Sequence, residues 1–256
     1  MSQGDRNPIV DAEKDSIVEA DHYRTVLRQK TELYGFHLSD VQTDQLIQYY
    51  ELMAEKNKDV NLTRIIEFDE VVEKHFVDSM MGAAYLDLND TASVIDIGTG
   101  AGFPGIPLKI LYPQIKLTMI DSVSKKISFI NEAAEKICLD HVEALHVRAE
   151  DLARDPMYRE RFDLCVSRAV ANLSTLSEYA LPFVKVGGVF LAYKSDQCEE
   201  EISNSKNAVS TLGGEFGKMN RFSIFGFGRT IIEIRKVKKT VRTYPRKAGV
   251  PSRKPL

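Results

Sequence analysis

The residues best suited to chemistry in this chain lie in one glycine-rich segment, residues 93–105. An apolar run typical of a β-strand contains Asp96 and leads into a loop with glycines at positions 98, 100, 102 and 105. Glycine lets a backbone turn sharply and approach a ligand closely, because it has no Cβ atom. At the carboxyl end of a parallel strand, such a loop binds a nucleoside-containing cofactor. The loop alone leaves that cofactor open, because residues 100–105 also match the weak dinucleotide pattern GxGxxG.

Three positions after successive predicted strands narrow the choice of cofactor. Asp96 precedes the glycines, where its carboxylate can meet a cationic amino group. Asp121 ends the predicted second strand, 116–121, and can hold two ribose hydroxyls. An acid at this position would serve NAD equally well, so it does not distinguish the two cofactors. Residues 148–151 follow the third strand, where an adenine edge can be bound. This ordered series is typical of class I S-adenosylmethionine-dependent methyltransferases, whereas acids that merely cap a strand–turn–helix would explain only the glycines.

Strands and helices alternate from Ser93 onwards, which predicts a doubly wound α/β fold with a Rossmann-like parallel sheet. Segments 222–227 and 230–237 are expected to close the sheet as an antiparallel pair. The expected divisions of the chain are an acidic, disordered segment at 1–22, a helical cap at 23–91, the methyltransferase domain at 92–240 and a basic C-terminal tail at 241–256.

Composition limits where the protein can act. No apolar run is long enough to cross a membrane, and the polar, acidic N-terminus is unlike a signal peptide. The three cysteines are scattered and form neither a disulfide framework nor a metal-binding spacing. We therefore expect a cytoplasmic, metal-free and monomeric protein that does not associate with membranes.

Positive charge is concentrated at the C-terminal end. The net charge is −3, yet residues 235–256 contain nine lysines or arginines and no acidic residue. Such a segment, interrupted by Gly249 and three prolines that disfavour helix, is typical of an arm that contacts phosphates. The alternative is a disordered C-terminus that only aids solubility.

The end of the predicted fourth strand excludes two kinds of methyl transfer. Residues 167–171 read Ser-Arg-Ala-Val-Ala and lack the Asn/Asp-Pro-Pro-aromatic turn of enzymes that methylate exocyclic amines. Cys165 lies inside its strand, so it is not exposed as a nucleophile for pyrimidine C5 methylation. A ring nitrogen such as guanine N7 needs no base, because its lone pair is free, and arginine can engage the N7 and O6 acceptors.

Motifs from about residue 25 to the end resemble the glucose-inhibited division protein B family, the bacterial 16S ribosomal RNA guanine-N7 methyltransferases. The matching segments are Asn61–Thr63, His75–Ser79, Asp96–Gly105, Ile120–Ser122, Arg148–Glu150, Ser167–Ala169 and Tyr244–Gly249. The chain departs from the family at Lys56, where a Trp is usual; it contains no Trp at all.

The resemblance implies roles for individual residues. It implies cofactor contacts at Gly98, Phe103, Ala149, Glu150 and Arg168, which join Asp96, Gly100 and Asp121 from the strand-order argument. Arg168 is expected near both the methionine moiety and the guanine, and is the candidate catalytic residue. The candidate substrate contacts are Asn61, His75, Asp78, Ser79, Lys194, Arg246 and Lys247. The implied cofactor is S-adenosyl-L-methionine, and the implied partner is 16S ribosomal RNA or the small ribosomal subunit.

Two other function classes remain open at this point. An NAD-dependent oxidoreductase would use the same sheet and loop but would leave Asp96 and the basic tail unexplained. A non-catalytic RNA-binding factor for ribosome assembly would use the tail but not the cofactor pocket. Binding of S-adenosylmethionine compared with NAD separates the first alternative.

Overall fold

The computed structural model describes residues 21–83, 92–168 and 170–256. The expected disordered segment at 1–22 lies outside the described residues except for its last two, and residues 84–91 of the cap also lie outside them. The sheet has seven strands in the order β3-β2-β1-β4-β5-β7-β6. The strands are β1 (Ser93–Ile97), β2 (Lys116–Asp121), β3 (Val142–His146), β4 (Phe162–Arg168), β5 (Val184–Ser195), β6 (Gly214–Ile224) and β7 (Phe227–Lys236).

Helices cover both faces of the sheet and form the cap. They are α1 (21–32), α2 (Asp40–Val60), α3 (Phe68–Val71), α4 (Asp78–Met80), α5 (Gly105–Leu111), α6 (Ser124–Lys136), α7 (Ala149–Leu152), α8 (Leu173–Ala180), α9 (Glu199–Thr211) and α10 (Val250–Arg253). A π-helical segment, Val72–Val77, joins α3 to α4. Within these described ranges, no helix is both long and apolar enough to cross a membrane.

The central strand β1 pairs in parallel with β2 on one side and with β4 on the other. Because side chains alternate along a strand, Val94 joins the hydrophobic core on the cap side while Ile95 and Ile97 join the core on the opposite side. Burial on both faces explains why β1 is an uninterrupted apolar run apart from Asp96. The carboxyl ends of the parallel strands therefore meet at one edge, where Asp96, Asp121 and Arg168 are located.

The cap is packed onto the sheet through α2. Ser39 caps this helix in a reciprocal capping box with Gln42. Leu46 and Met53 are fully buried in the core that the cap shares with the cap-side helices of the sheet. Gln45 also donates to the carbonyl of Ile137, at the end of α6, at 2.9 Å. The cap and the sheet thus share one core.

The closing hairpin differs from the predicted one in its first strand. That strand was expected at 222–227 but runs over Gly214–Ile224, while β7 begins at Phe227. Residues 225 and 226 have positive φ angles and form the hairpin turn. β6 is the edge strand, and its alternation of polar residues gives no apolar run by which it could be recognised.

The C-terminal segment folds back onto the domain instead of forming a free arm. Arg159 donates to the carbonyls of Thr240 and Tyr244, both at 2.9 Å, and so fixes the reversal of the chain after β7. Arg246 forms several hydrogen bonds with the fully buried carboxylate of Glu178. A short helix, α10, follows despite the prolines, because Pro251 occupies its first turn, where no amide hydrogen bond is lost.

Candidate active site

The glycine loop is anchored at the edge of the sheet by its own backbone. The amides of Gly98 and Thr99 donate to the carbonyl of Ile120 on β2 at 2.9 and 3.1 Å. Gly98 has a φ of 66°, and a Cβ atom built on it would come within 2.4 Å of the Val170 side chain. Glycine is therefore required there both for the backbone conformation and for the space beside Val170.

Asp96 lies fully buried beneath the loop. Its Oδ2 accepts hydrogen bonds from the Thr99 hydroxyl at 2.7 Å and from the Gly105 amide at 2.9 Å. Its Oδ1 is buried and has no hydrogen-bond partner in the part of the chain that the structure describes. Burial raises the pKa of Asp96 to about 7, although these two hydrogen bonds and the charge of Arg168 act to lower the pKa. One buried carboxylate oxygen is thus left to accept a further donor.

Asp121 closes the loop from the neighbouring strand. Its Oδ2 accepts from the Gly100 amide at 3.0 Å, and its Oδ1 accepts from the Val123 amide at 2.9 Å. Among the described residues each oxygen accepts this one bond, and a carboxylate oxygen has two lone pairs. Asp121 can therefore hold the loop and still accept from ribose hydroxyls.

A cleft of about 400 Å³ opens where the first four strands end. Gly98 and Asp121 line it on one side and Ala149 and Glu150 on the other. A volume of this size is typical of a site for a small molecule or a cofactor. Four of the predicted cofactor residues therefore surround one cavity. Asp96 does not line it but supports the loop that does.

The C-terminal segment completes one wall of this cleft. Gly249 donates its amide to Oε1 of Glu150 at 2.8 Å, and Glu150 is only 3% exposed. Ser252 and Tyr179 line the cleft beside Glu150. Neither was predicted: Tyr179 lies on α8, and Ser252 reaches the site only through the path of the C-terminal segment, which no local pattern marks.

A second cluster surrounds Arg168 at the end of β4. Its guanidinium donates to Oδ2 of Asp78 at 2.8 Å and to the carbonyl of Lys74 at 3.1 Å. Asp78 is 3% exposed and also accepts from Nε of Arg229 at 3.0 Å. The ring of Phe103 lies 5.2 Å from the guanidinium carbon, within the range of a cation–π contact. Phe103 belongs to the glycine loop, so it connects this arginine cluster to the loop.

His75 is the neutral member of the cluster. Its Nδ1 lies 3.1 Å from both the Arg168 guanidinium and the Lys74 carbonyl, and its Nε2 lies 2.9 Å from the Thr63 hydroxyl. Burial, followed by the charge of Arg168, lowers the pKa of His75 to about 3. The ring also stacks on Phe103, with centroids 4.5 Å apart. His75 therefore acts as an acceptor for Arg168 rather than as a proton donor to it.

The π-helical segment explains how the cap reaches Arg168. This widened turn contains both Lys74 and His75, and Arg168 contacts the carbonyl of one and the ring of the other. π-helical turns are rare and are frequent at functional sites. Ser79, one turn on, donates to the carbonyl of His75 at 2.5 Å and is fully buried, so its contact is structural.

The remaining predicted substrate residues lie apart from this cluster. Asn61 ends α2 in a left-handed conformation, and Lys194 bonds with Glu201 and the Ala171 carbonyl. Arg246 is held by Glu178, whereas Lys247 is exposed. The charges of Arg246 and Lys194 are thus paired within the fold, while Lys247 is exposed and able to contact a partner.

Besides Ser252 and Tyr179, three residues around Phe103, His75 and Asp78 were missed by the sequence reasoning. Tyr49 of α2 is fully buried, donates to the carbonyl of Ala101 and packs edge-on against Phe103. Thr63 and Arg229 contact His75 and Asp78 from distant parts of the chain. Of these three residues, only Thr63 could have been identified from the sequence, because it lies in the motif Asn61–Thr63 that supports the family resemblance.

Comparison with protein families and relatives places these features in one group. A family model described as rRNA small subunit methyltransferase G matches residues 42–224. A protein of Brevibacillus brevis named ribosomal RNA small subunit methyltransferase G is 46% identical over 224 residues, which cover 87% of this chain and 94% of that protein. A protein of the same name from Alkaliphilus metalliredigens is 42% identical over 235 residues, covering 91% and 98%.

Solved structures extend the comparison to the fold. A SAM-dependent methyltransferase from Aquifex aeolicus has a TM-score of 0.50 at 16% identity, covering 71% of this chain and 97% of that one. The crystal structure of M. jannaschii TYW2 in complex with AdoMet has a TM-score of 0.50 at 17% identity, covering 63% of this chain and 76% of that one. At such identities the likeness concerns the fold alone, and it confirms the predicted doubly wound, Rossmann-like methyltransferase sheet.

Proposed function

The chain belongs to the rRNA small subunit methyltransferase G family, and from this membership we propose that it transfers a methyl group from S-adenosyl-L-methionine to N7 of a guanine in 16S ribosomal RNA. The observation that supports the proposal most strongly is that Phe103 connects the glycine loop to the cluster around Arg168. This residue of the cofactor loop lies under the guanidinium of Arg168 and against the ring of His75. A substrate edge that reaches Arg168 is thereby brought to the loop.

The residues around the cleft fit S-adenosylmethionine. Asp121 and Glu150 place acceptors on opposite sides of the cavity, for ribose hydroxyls and for an adenine edge. Asp96 lies beneath the loop rather than in the lining of the cleft, and its buried Oδ1 has no hydrogen-bond partner among the described residues; a cationic donor that reached it would restore the charged form that burial disfavours. When bound, the cofactor supplies an electrophilic methyl group on a sulfonium.

Arg168 has donors left for the guanine. A guanidinium carries five N–H donors, and three of them are used on Lys74, His75 and Asp78. The other two can bind O6 of the base, one of the acceptors on the major-groove edge. Binding O6 rather than N7 leaves the N7 lone pair directed at the methyl group.

The reaction needs no proton acceptor, because N7 carries a free lone pair and loses no proton on methylation. His75 agrees with this requirement, since its lowered pKa keeps it neutral at physiological pH. Its role is to hold Arg168 in place, together with Asp78. Correct placement of reactants supplies much of the acceleration of such a displacement.

The setting of the reaction follows from the proposed substrate. We infer that the enzyme works as a monomer in the cytoplasm, where the small ribosomal subunit is made, with no membrane partner. The described surface offers cations for RNA on the C-terminal segment, among them the exposed Lys247.

Calorimetry with the purified protein tests the cofactor directly. S-adenosylmethionine and its demethylated product should both bind at one site, and NAD should not. Tighter binding of NAD would replace the proposal with the oxidoreductase alternative. The absence of any nucleotide binding, with RNA binding retained, would favour a non-catalytic assembly factor.

A further inference from the structure

A basic groove lies at the edge of the sheet opposite the cleft. It is found where β4 and β5 begin and β7 ends, and it encloses about 770 Å³. Its charged lining residues are Arg154, Arg159, Arg161, Lys239, Arg242 and Glu160. None of them was assigned to the active site, and the groove shares no lining residue with the cofactor cleft.

The positive charge of the groove is not neutralised by the protein. In the described ranges, none of the five cations forms an ion pair with a carboxylate. The single acid, Glu160, lies 3.4 Å from a sixth cation, the buried Lys236. Uncompensated charge of one sign lining a groove concentrates counter-ions of the other sign. The groove is therefore a site for anions on a chain whose net charge is negative.

The groove is a fixed part of the fold. The Arg159 guanidinium forms its floor and donates to the carbonyls of Ala153, Thr240 and Tyr244 at 2.9–3.0 Å. The Thr240 amide in turn donates to Glu160 at 2.8 Å. These bonds hold the chain reversal that presents the exposed side chains of Lys239 and Arg242.

We propose that this groove binds the phosphate backbone of the ribosomal RNA substrate at a second contact, remote from the reacting guanine; the proposal rests on the proposed function. Arg161 immediately precedes β4, and Arg168 is its last residue. At about 3.3 Å per residue along a strand, the groove therefore lies about 23 Å from the catalytic arginine. Exposed cations of this kind position a nucleic acid without reading its bases. An RNA that occupies both the groove and the site at Arg168 must therefore span this distance.

A pair of matched double variants tests the groove. Lys239→Gln with Arg242→Gln removes two groove cations, while Lys206→Gln with Lys218→Gln removes two exposed cations elsewhere. Each lost phosphate contact lowers the slope of log affinity against log salt by about 0.7–0.9. Between 50 and 200 mM salt, wild-type protein should thus lose about tenfold more affinity for small ribosomal subunits than the groove variant does.

The readouts separate this proposal from the proposed function. The groove variant should show a raised KM for the small subunit, unchanged calorimetric affinity for S-adenosylmethionine and an unchanged melting temperature. The control pair should match the wild type throughout. A groove variant with wild-type KM and salt slope on an active enzyme overturns the groove alone. A wild-type protein that binds S-adenosylmethionine but methylates no guanine overturns the proposed function instead.

Discussion

Arg168 shows how a single partly buried charge is made useful. Its side chain is 15% exposed, and it is stabilised by the carboxylate of Asp78, which is 4% exposed. A buried ion pair is retained at a cost in desolvation, so it is a poor device for stability alone. Here it fixes a planar donor group beside Phe103, where two unused N–H groups can meet a base. The arrangement favours orientation over stability.

Replacing Arg168 tests this role. Arg168→Ala should reduce kcat/KM for ribosomal RNA by about 10–100-fold for each lost hydrogen bond to the base, since charge-assisted bonds contribute about 1.5–3 kcal/mol. Arg168→Lys should recover little, because an ammonium cannot replace the planar fork. Arg221→Lys, a surface arginine paired with Glu199, is the matched control. Near-normal turnover of Arg168→Lys would show that the site requires only a charge.

Asp96 makes the stability of the free protein depend on pH. Its folded-state pKa of about 7 is above the ordinary value of 3.8 for an aspartate, so between these pH values the folded chain holds a proton that the unfolded chain has released. Stability should therefore fall as pH rises from about 4 to 7 and then level off, with a slope of up to about 1.4 kcal/mol per pH unit. Urea unfolding of the wild type and Asp96→Asn at pH 5, 6, 7 and 8 measures this slope.

The difference in stability between these two proteins isolates the carboxyl group from other titrations. We expect the wild type to lose stability relative to Asp96→Asn as pH rises through this range. A difference that stays constant would mean that Asp96 is ionised with an ordinary pKa.

Among the secondary-structure elements and their loops, the glycine loop depends on the close approach of Gly98 to the Val170 side chain. Gly98→Ala should reduce cofactor affinity sharply, because the added methyl group meets Val170 at 2.4 Å in a strained backbone conformation. Gly187→Ala is the matched control: its φ is also positive, at 90°, but a Cβ there meets nothing within 4 Å. Calorimetry should show weakened binding of S-adenosylmethionine only in the first variant. Equal affinities in both would remove the steric argument.

The C-terminal segment is expected to support the cofactor cleft as well as RNA binding. Deleting residues 247–256 removes the Gly249 amide from Glu150 and should weaken cofactor binding about 5–100-fold, since a buried carboxylate loses its partner. Lys247→Gln with Lys254→Gln removes two charges of the same segment and leaves this bond intact. Unchanged cofactor affinity in the deletion would make the segment a tail that contacts RNA only.

Much of this arrangement was predictable from the sequence because local patterns determine it. The apolar run of β1, the acids at 96 and 121 and the glycine spacing predicted the strand, the loop after it and the two acids that accept hydrogen bonds from that loop. The contacts of Arg229 and Ser252 were not predictable, because they depend on where β7 and the C-terminal segment pass in space. The ion pair between Arg246 and Glu178 was missed for the same reason, since nothing in the sequence identifies Glu178 as a buried partner.

At the scale of the whole molecule, the chain separates its tasks between the two edges of one sheet. The carboxyl edge holds the cofactor cleft and Arg168, and the opposite edge holds the basic groove. The cap joins the two clusters of the active site because the π-helical segment brings His75 and Asp78 to Arg168. If the proposed groove contact holds, binding of ribosomal RNA is spread over both edges, while methyl transfer takes place at the carboxyl edge.

The most direct test of the account is the product of the reaction. Small ribosomal subunits from cells that lack this gene are incubated with the purified protein and S-adenosylmethionine, and their RNA is mapped by mass spectrometry and by chemical cleavage at 7-methylguanosine. We expect one new methyl group, at N7 of a single guanine in 16S ribosomal RNA, and no new methyl group with Arg168→Ala. A methyl group on another atom, or none while the cofactor is bound, would contradict it.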